Sequence, residues 1–171
     1  MNATATSTYP TGASAVADKR SGILAGLAAG LAMSVVMMAI TTFVMAMGPW
    51  AAPKMAWSLV AGKDAIRPGF ELVPVLGGSL IHLALSAAYG LIFAWLSPHV
   101  AMRPALLGAL YGFLIYVVNI VAMPAIAPGW VGHMAPPDAA MHALQAAEHV
   151  VFGVVLGAFY GAWRRDTRAQ R

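Results

Sequence analysis

Residues 138–163 read DAAMHALQAAEHVVFGVVLGAFYGAW. The stretch exceeds the roughly 20 residues that a helix needs to cross a hydrocarbon core, and it holds neither Lys nor Arg. Its first half carries polar side chains at helical spacing, whereas its second half is apolar and repeats glycine at every fourth position. We therefore predict a membrane-spanning helix with a polar face near one boundary and a close-packing face near the other.

Three more apolar stretches precede it, and the four predicted spans cover residues 21–48, 75–97, 104–127 and 138–163. The chain of 171 residues is 60% hydrophobic and only 9% charged, whereas soluble domains carry about 25% charged residues. So few charges cannot cover the surface of a soluble domain, and much of that surface must face lipid. Short loops make sequential helices antiparallel neighbours. The sequence predicts an all-α polytopic membrane protein, a four-transmembrane-helix bundle.

The segments outside the spans have different compositions. Residues 1–20 are rich in Ala, Ser and Thr without apolar periodicity, and we expect a disordered cytoplasmic tail there. The membrane domain then covers residues 21–163, and a basic cytoplasmic tail follows at 164–171. The outer loop at 49–74 is long for a helical hairpin, and its 53–65 stretch is a candidate interfacial helix.

Lys and Arg lie unequally at the two ends of the predicted spans. Seven lie at one end: Lys19, Arg20, Arg103, Arg164, Arg165, Arg168 and Arg171. Three lie at the other: Lys54, Lys63 and Arg67. Because basic residues concentrate on the cytoplasmic side, we expect both termini to be cytoplasmic, N-in and C-in. The net charge of +4 then reflects topology, and we expect the lipid bilayer rather than nucleic acid as the partner.

An internal repeat relates the spans in pairs. Between the first and third spans, at an offset of 82 residues, Gly26 and Gly30 match Gly108 and Gly112. Between the second and fourth, at an offset of 67, His82, Ser86 and Gly90 match His149, Gly153 and Gly157. The pattern is compatible with two pseudo-repeated helical hairpins related by an axis along the membrane normal. The alternative is chance similarity between helices rich in Ala and Gly.

Glycines at i and i+4 allow helices to approach each other closely, which membrane helices need because association there lacks the water-driven term. The predicted packing residues lie toward the cytoplasmic half: Gly26, Gly30, Gly108, Gly112, Gly153, Gly157 and Gly161. The same surfaces could join two chains, so a homo-oligomer or a larger membrane complex is an open alternative.

Polar side chains inside the spans are costly and usually face a bundle interior or a cavity. The candidate set is His82, Asn119, His142, Gln145, Glu148 and His149. On the last span these residues share one helical face over its first turns. We expect a polar pocket in the outer half, above a floor of packed glycines. Asp138 is instead expected to cap the helix N-terminus after two prolines.

Three interpretations of this pocket remain open. In the first, His82 and His149 ligate haem b, copper or zinc, with His142 and Met141 as further metal candidates and a cluster of methionines at the outer end favouring copper. In the second, Glu148 is the exchangeable group of a proton or ion pathway with the histidines as relays. In the third, the polar groups bond across the bundle and fix its register.

Motifs of the common enzyme classes are missing from the sequence. It holds no phosphate-binding glycine loop, no nucleophile elbow and no HExxH, and its cysteine count is zero. These features favour a protein without enzymatic activity of its own.

Several short motifs resemble those of a known group. Residues 107–112 read LGALYG, the third span ends at Met123-Pro124, residues 149–157 read HVVFGVVLG, and Arg164-Arg165-Asp166 follows the last span. This order of spans and motifs resembles the YagU-like family of bacterial membrane proteins and related four-span proteins labelled as sodium:proline symporters. Four spans are too few for that symporter fold. The resemblance implies a multi-pass protein of the bacterial inner membrane, and we expect a membrane subunit or a stress-related membrane factor.

Overall fold

The computed structural model describes the backbone of residues 12–169 and the side chains of 19–164. Its helices are α1 (Gly12–Phe43), α2 (Ala51–Ala61), α3 (Leu72–Leu96), α4 (Pro104–Tyr116), α5 (Met123–Ile126), α6 (Pro128–Val131) and α7 (Ala139–Ala169). A π-helical turn, Val117–Ala122, joins α4 to α5, and single 3₁₀ turns lie at Lys63–Ala65, Ser97–His99 and Gly132–Met134.

Four helical segments in this part of the chain are long and apolar enough to cross a membrane: Lys19–Phe43, Leu72–His99, Pro104–Ile126 and Ala139–Arg164. They confirm the predicted all-α fold with four spans. We call the end that holds α2 and α6 the loop end, and the end where α1 begins and α7 finishes the terminal end.

The helix bounds differ from the predicted segments at several points. The helical backbone already begins at Gly12 and continues to Ala169, within the segments that were expected to be tails. Ala, Lys and Arg favour helix, which accounts for both extensions. Residues 1–11, the rest of the predicted N-terminal tail, lie outside the described residues. The loop at 49–74 contains α2, which begins two residues before the predicted interfacial helix.

The first span ends at Phe43, earlier than the predicted boundary at residue 48. Near this end the Thr42 hydroxyl donates to the carbonyl oxygen of Met38 at 2.6 Å. The chain then turns through Ala46 and Gly48, whose φ angles are 54° and 82°. Such left-handed conformations suit glycine and end a helix.

The third span is interrupted by the π-helical turn before Pro124. Proline has no N–H to donate to the carbonyl four residues earlier, so a regular α-helix cannot continue unchanged through it. The wider turn absorbs this irregularity and contains Asn119. π-helical turns often occur at functional sites.

Glycines hold the spanning helices together in two pairs. A Cβ atom on Gly108 would overlap the carbonyl oxygen of Gly153 on α7, and one on Gly26 would overlap that of Ser86 on α3. The backbones of α4 and α7, and of α1 and α3, therefore touch directly toward the terminal end. This close packing gains dispersion energy where lipid offers no hydrophobic driving force.

The contacts in the two pairs correspond position by position to the repeat. Gly26 faces Ser86 and Gly90 in the first pair, and the matching Gly108 faces the matching Gly153 and Gly157 in the second. The correspondence supports two pseudo-repeated hairpins, α1 with α3 and α4 with α7.

The pairs are joined asymmetrically. Helix α1 of the first pair also packs along α7 of the second. The repeat matches α1 to α4 and α7 to α3, but the corresponding helices α4 and α3 have few close backbone approaches. Small residues of α1, Ala25 and Ala29, are fully buried in the core. On the other side, Phe93 of α3 meets the rings of Tyr111 and Tyr160 at centroid distances of 5.5 Å. Side chains rather than close backbone contacts therefore lie between α3 and α4, and we call this separation of the two backbones the gap between α3 and α4.

Candidate functional site

A cavity of about 420 Å³ opens in the half of the bundle nearer the loop end. All four spanning segments contribute to its wall, and α2 and α6 contribute near the loop end. We call it the main cavity. Ligand sites in proteins typically measure about 300–1,000 Å³, so its volume suits one small molecule. The glycine contacts of the two helix pairs lie mainly between this cavity and the terminal end.

Helix α7 supplies the acidic wall of the main cavity. Glu148 is only 4% exposed, and neither of its carboxylate oxygens has a hydrogen-bond partner among the described residues. The side-chain oxygen of Gln145 is likewise buried without a partner. His149 lies beside them, and its Nδ1 donates to the carbonyl oxygen of Gln145 at 2.8 Å. This wall therefore presents three buried acceptor oxygens that no donor of the described residues reaches.

Helix α3 supplies the opposite polar group, His82. Its Nε2 lies 3.0 Å from the carbonyl oxygen of Gly30 on α1, and because a carbonyl only accepts, this nitrogen carries the proton. The bond joins two spanning helices at the level of the cavity. In membranes such contacts contribute about 0.6–2 kcal/mol.

Serine hydroxyls of the wall are already engaged. Each donates to the carbonyl four residues earlier in its own helix, and the bonds are Ser34 to Gly30, Ser79 to Val75 and Ser86 to His82. Their protons thus satisfy the helix backbone instead of Glu148 or Gln145.

Three side chains bridge the gap between α3 and α4. The Asn119 amide donates to the hydroxyl of Tyr89 at 2.6 Å, and the Tyr111 hydroxyl donates to the carbonyl oxygen of Tyr89 at 3.0 Å. The π-helical turn places Asn119 for this bond. The network therefore links the two helices that lack close backbone packing.

The predicted polar residues are divided between two places. The main cavity brings together His82, Asn119, Gln145, Glu148 and His149. His142 instead bonds through Nδ1 to the hydroxyl of Tyr116 at 2.8 Å. Met141 lines a separate, smaller cavity near the loop end. Asp138 accepts from the backbone N–H of Met141 at 2.9 Å, which confirms its predicted capping role.

Metal and haem ligation can be compared with this geometry. Within the described part of the chain, no three His, Asp or Glu side chains converge as a metal site. The proton of His82 Nε2 leaves only Nδ1 of that neutral ring able to coordinate, whereas His149 keeps Nε2. The predicted pair His82 and His149 lines one cavity, and ligation of haem or a metal by this pair stays a prediction.

Helix α2 forms part of the wall and is anchored by an ion pair that the sequence did not indicate. The Lys54 side chain is fully buried, and its Nζ donates to Glu71 Oε2 at 2.7 Å and to the carbonyl oxygen of Arg67 at 2.9 Å. The hydrogen bond from Lys54 lowers the pKa of Glu71 below its ordinary value, burial partly opposes this, and the charges of Lys54 and Arg67 assist it. Lys54 shares the buried face of α2 with Ala51 and Ser58.

Tight packing places α2 against α3. A Cβ on Gly78 would overlap the carbonyl oxygen of Pro53, and one on Gly77 would contact the ring of Trp57. Tyr89 is a polar wall residue that sequence reasoning missed. It lies two turns after His82 on the same face of α3, and this spacing could have identified it.

Four apolar spanning helices around a cavity with a buried carboxyl group define a small helical membrane protein. The chain belongs to a family of unknown function, DUF6789, whose sequence profile matches residues 16–171. Comparisons with curated proteins and with solved structures gave no match. Membership in this family does not assign an activity to the chain. The resemblance to the YagU-like family stays a prediction.

Proposed function

We propose that this protein is a non-enzymatic membrane protein that binds a lipophilic organic cation in the main cavity. The observation that carries the proposal is Glu148, whose two oxygens are buried beside the cavity without a partner. A buried carboxylate is costly unless a cation or hydrogen-bond donors compensate it. A ligand ammonium group supplies both the charge and the donors.

Three buried oxygens without a hydrogen-bond partner support a ligand that donates hydrogen bonds. Gln145 adds a third unpartnered oxygen next to Glu148. The wall serines and both histidines of the cavity give their protons to backbone carbonyls. A ligand that only accepts hydrogen bonds would leave all three oxygens unsatisfied. An amine satisfies them.

The remaining wall favours an apolar ligand body. Methionines from four different parts of the chain line the main cavity: Met33, Met37, Met38, Met55, Met123 and Met134. Methionine is flexible and polarizable, so it adapts to ligands of different shape. Ligand sites of this kind combine apolar walls with a few fixed polar groups.

The gap between α3 and α4 offers a route from the bilayer. Leu85 of α3 lines the main cavity and is 42% exposed, so it lies where the cavity meets the lipid-facing surface. A lipophilic cation concentrates in the membrane and can reach this gap laterally. Along this route the hydrogen bonds of Tyr89 to Asn119 and Tyr111 must break. The glycine contacts within the two helix pairs stay in place.

The test compares three ligands of equal chain length, an n-alkylamine, the n-alkanol and the n-alkanoate, with the purified protein in nanodiscs. Tryptophan fluorescence reports binding because Trp50 and Trp130 line the main cavity. We expect the amine to bind about 10- to 100-fold more tightly than the alcohol, as hydrogen bonds to charged groups contribute roughly 1.5–3 kcal/mol. The alkanoate should bind most weakly.

Two variants complete the test. Glu148→Gln keeps the shape and should abolish the preference for the amine. Asp138→Asn removes a carboxylate at the exposed start of α7 and should leave the preference unchanged. Equal affinity for amine and alcohol in the unaltered protein would refute the proposal, as would an amine preference that survives Glu148→Gln.

A proton pathway through Glu148 is the second candidate, and the contacts of Tyr116 favour it. Its hydroxyl bonds to His142, and its ring lies against His149 at a centroid distance of 6.0 Å. Tyr116 thus connects a histidine near the loop end with one beside Glu148. This candidate predicts a pH-driven flux in liposomes that Glu148→Gln abolishes while thermal stability is retained. Absence of flux in liposomes containing the unaltered protein would contradict it.

Haem b or copper at His82 and His149 is the further alternative from the sequence. An absorption spectrum and elemental analysis of the purified protein address it directly. A Soret band, or stoichiometric copper lost on His82→Ala, would favour it over the organic cation. If protein purified from cofactor-replete cells shows no Soret band and no stoichiometric copper, this alternative is contradicted.

The proposed setting is the bacterial inner membrane, with both termini in the cytoplasm and the main cavity in the outer half. The basic residues at the terminal end support this orientation. In this setting the protein acts as a membrane subunit or stress-related factor, alone, as a homo-oligomer or within a larger complex. Blue-native electrophoresis of gently solubilised membranes separates these states.

A further inference from the structure

A second, smaller cavity of about 110 Å³ lies near the loop end, between the turn after α1, helix α2, the Gly132–Met134 turn and the start of α7. Four methionines and one histidine from these segments line it: Met45, Met55, Met134, Met141 and His133. We call it the thioether cavity. Segments far apart in the sequence thus bring four methionines and a histidine to the wall of one small cavity.

Hydrogen bonds set the orientation of His133. The hydroxyl of the fully buried Ser58 donates to the carbonyl oxygen of Met55 at 2.6 Å, so its oxygen can accept from His133 Nε2 at 3.0 Å. Nε2 therefore carries the proton, and Nδ1 keeps its lone pair. A histidine that ligates a metal usually donates its other ring nitrogen in this way.

The donor set identifies the metal. Thioether sulfur is a soft, neutral ligand that selects Cu(I), and imidazole also suits copper. The residues lining the thioether cavity include no Asp or Glu, the hard ligands that Mg²⁺, Ca²⁺ and Mn²⁺ require. We propose that the thioether cavity binds one Cu(I) ion through methionine sulfurs and Nδ1 of His133.

The cavity is also placed for an ion to arrive from water. It lies at a boundary of the spanning segments, and Ala135 and Pro137 in its wall are exposed. Met55, Met134 and Gln145 line both cavities, so the two spaces adjoin. The copper site does not depend on the proposed binding of an organic cation, because Glu148 is not among its ligands.

The test is an anaerobic titration of the purified full chain in detergent with Cu(I), in competition with a chromogenic Cu(I) chelator. We expect one ion per chain. X-ray absorption of the loaded protein should show sulfur neighbours together with a nitrogen. A protein that fails to compete with the chelator, or a copper shell of nitrogen and oxygen alone, would overturn the proposal without any variant.

Variants locate the site. Met134→Leu with Met141→Leu preserves volume closely and should weaken Cu(I) binding more than 100-fold. Ser58→Ala should weaken it about 10- to 100-fold, because His133 loses its orienting partner. The matched control, Met33→Leu with Met37→Leu in the main cavity, should bind within twofold of the unaltered protein. A loss in the control equal to that in the first pair would place the copper elsewhere and refute the assignment.

Discussion

Gly112 of α4 lies directly against the backbone carbonyl of His149 on α7. The contact that brings these helices together is therefore next to the polar wall of the main cavity, because Glu148 precedes His149. A side chain at residue 112 would push α7 away and displace the buried carboxyl group. Close helix packing and the geometry of the site thus depend on the same glycine.

Gly112→Ala should destabilise the protein by about 1–3 kcal/mol, the usual cost of overpacking a filled interior. A Cβ atom there would overlap the carbonyl oxygen of His149, and backbone cannot rotate away as a side chain can. Denaturant unfolding in mixed micelles measures the change. Gly129→Ala is the matched control, because a Cβ atom there meets nothing within 4 Å. Equal stability of the two variants would show that the α4–α7 contact is looser than described.

Tyr111→Phe should loosen the connection between α3 and α4. The variant removes the bond to the carbonyl oxygen of Tyr89 and should cost about 0.5–1.5 kcal/mol. Asn119→Ala removes the other bond to Tyr89. Because both act on one residue, the two effects should not add, and a double-mutant cycle of unfolding free energies measures the coupling. Strict additivity would show that the bonds are independent.

Acidification should release α2 from its anchor at Glu71. The pKa of this carboxyl is lowered from 4.5 by its bond from Lys54, so its contribution to stability is full above that value. The contribution is lost as the pH falls through the lowered pKa, because protonation removes the charge that pairs with the buried ammonium group. Fluorescence of Trp57, which packs on α3, should change over this range in a variant that keeps it as the single tryptophan.

The control for this pH dependence is Glu71→Gln, which removes the titrating group. Its fluorescence should be independent of pH over the same range and resemble that of the acidified protein. Asp64→Asn, in the exposed turn after α2, should retain the transition. A transition that persists in Glu71→Gln would assign it to another group.

Single cysteines test the proposed orientation without background, because the chain has none. Cysteines at Ala61 and Ala135, both exposed at the loop end, should react with a membrane-impermeant maleimide in intact spheroplasts. A cysteine at Met102, exposed at the terminal end, should react only after the membrane is opened. The reverse pattern would invert the proposed topology, and labelling of all three from one side would refute four spans.

The spans could be predicted closely because lipid constrains them. A helix must be long and apolar to cross a bilayer, and these properties are local to each stretch. The third span begins at Pro104 as expected. The first ended early, since the turn at Ala46 and Gly48 depends on backbone conformation that an apolar pattern conceals. The cap at Asp138 was also predictable because it is a local interaction: its carboxylate accepts from the backbone N–H only three residues later.

The grouping of polar residues was harder to predict. Spacing placed His142 on the same helical face as Glu148. In the structure His142 bonds to the hydroxyl of Tyr116 and does not line the main cavity. Lys54 and Tyr89 were missed because their partners lie on other elements or depend on how far two helices separate. Such relations follow from helix rotation and distance, which a single sequence does not specify.

The sequence by itself determined the class of protein, the four spans, the glycine surfaces and the buried Glu148, since each follows from composition or from spacing within one helix. Only the tertiary structure decided that α1 packs on α7 while α3 and α4 separate. That asymmetry opens the main cavity, and folding of α2 and the 127–138 segment over the loop end brings His133 together with four methionines. These features depend on side-chain volumes at helix crossings and on contacts between distant segments, so they appear only when the helices are assembled.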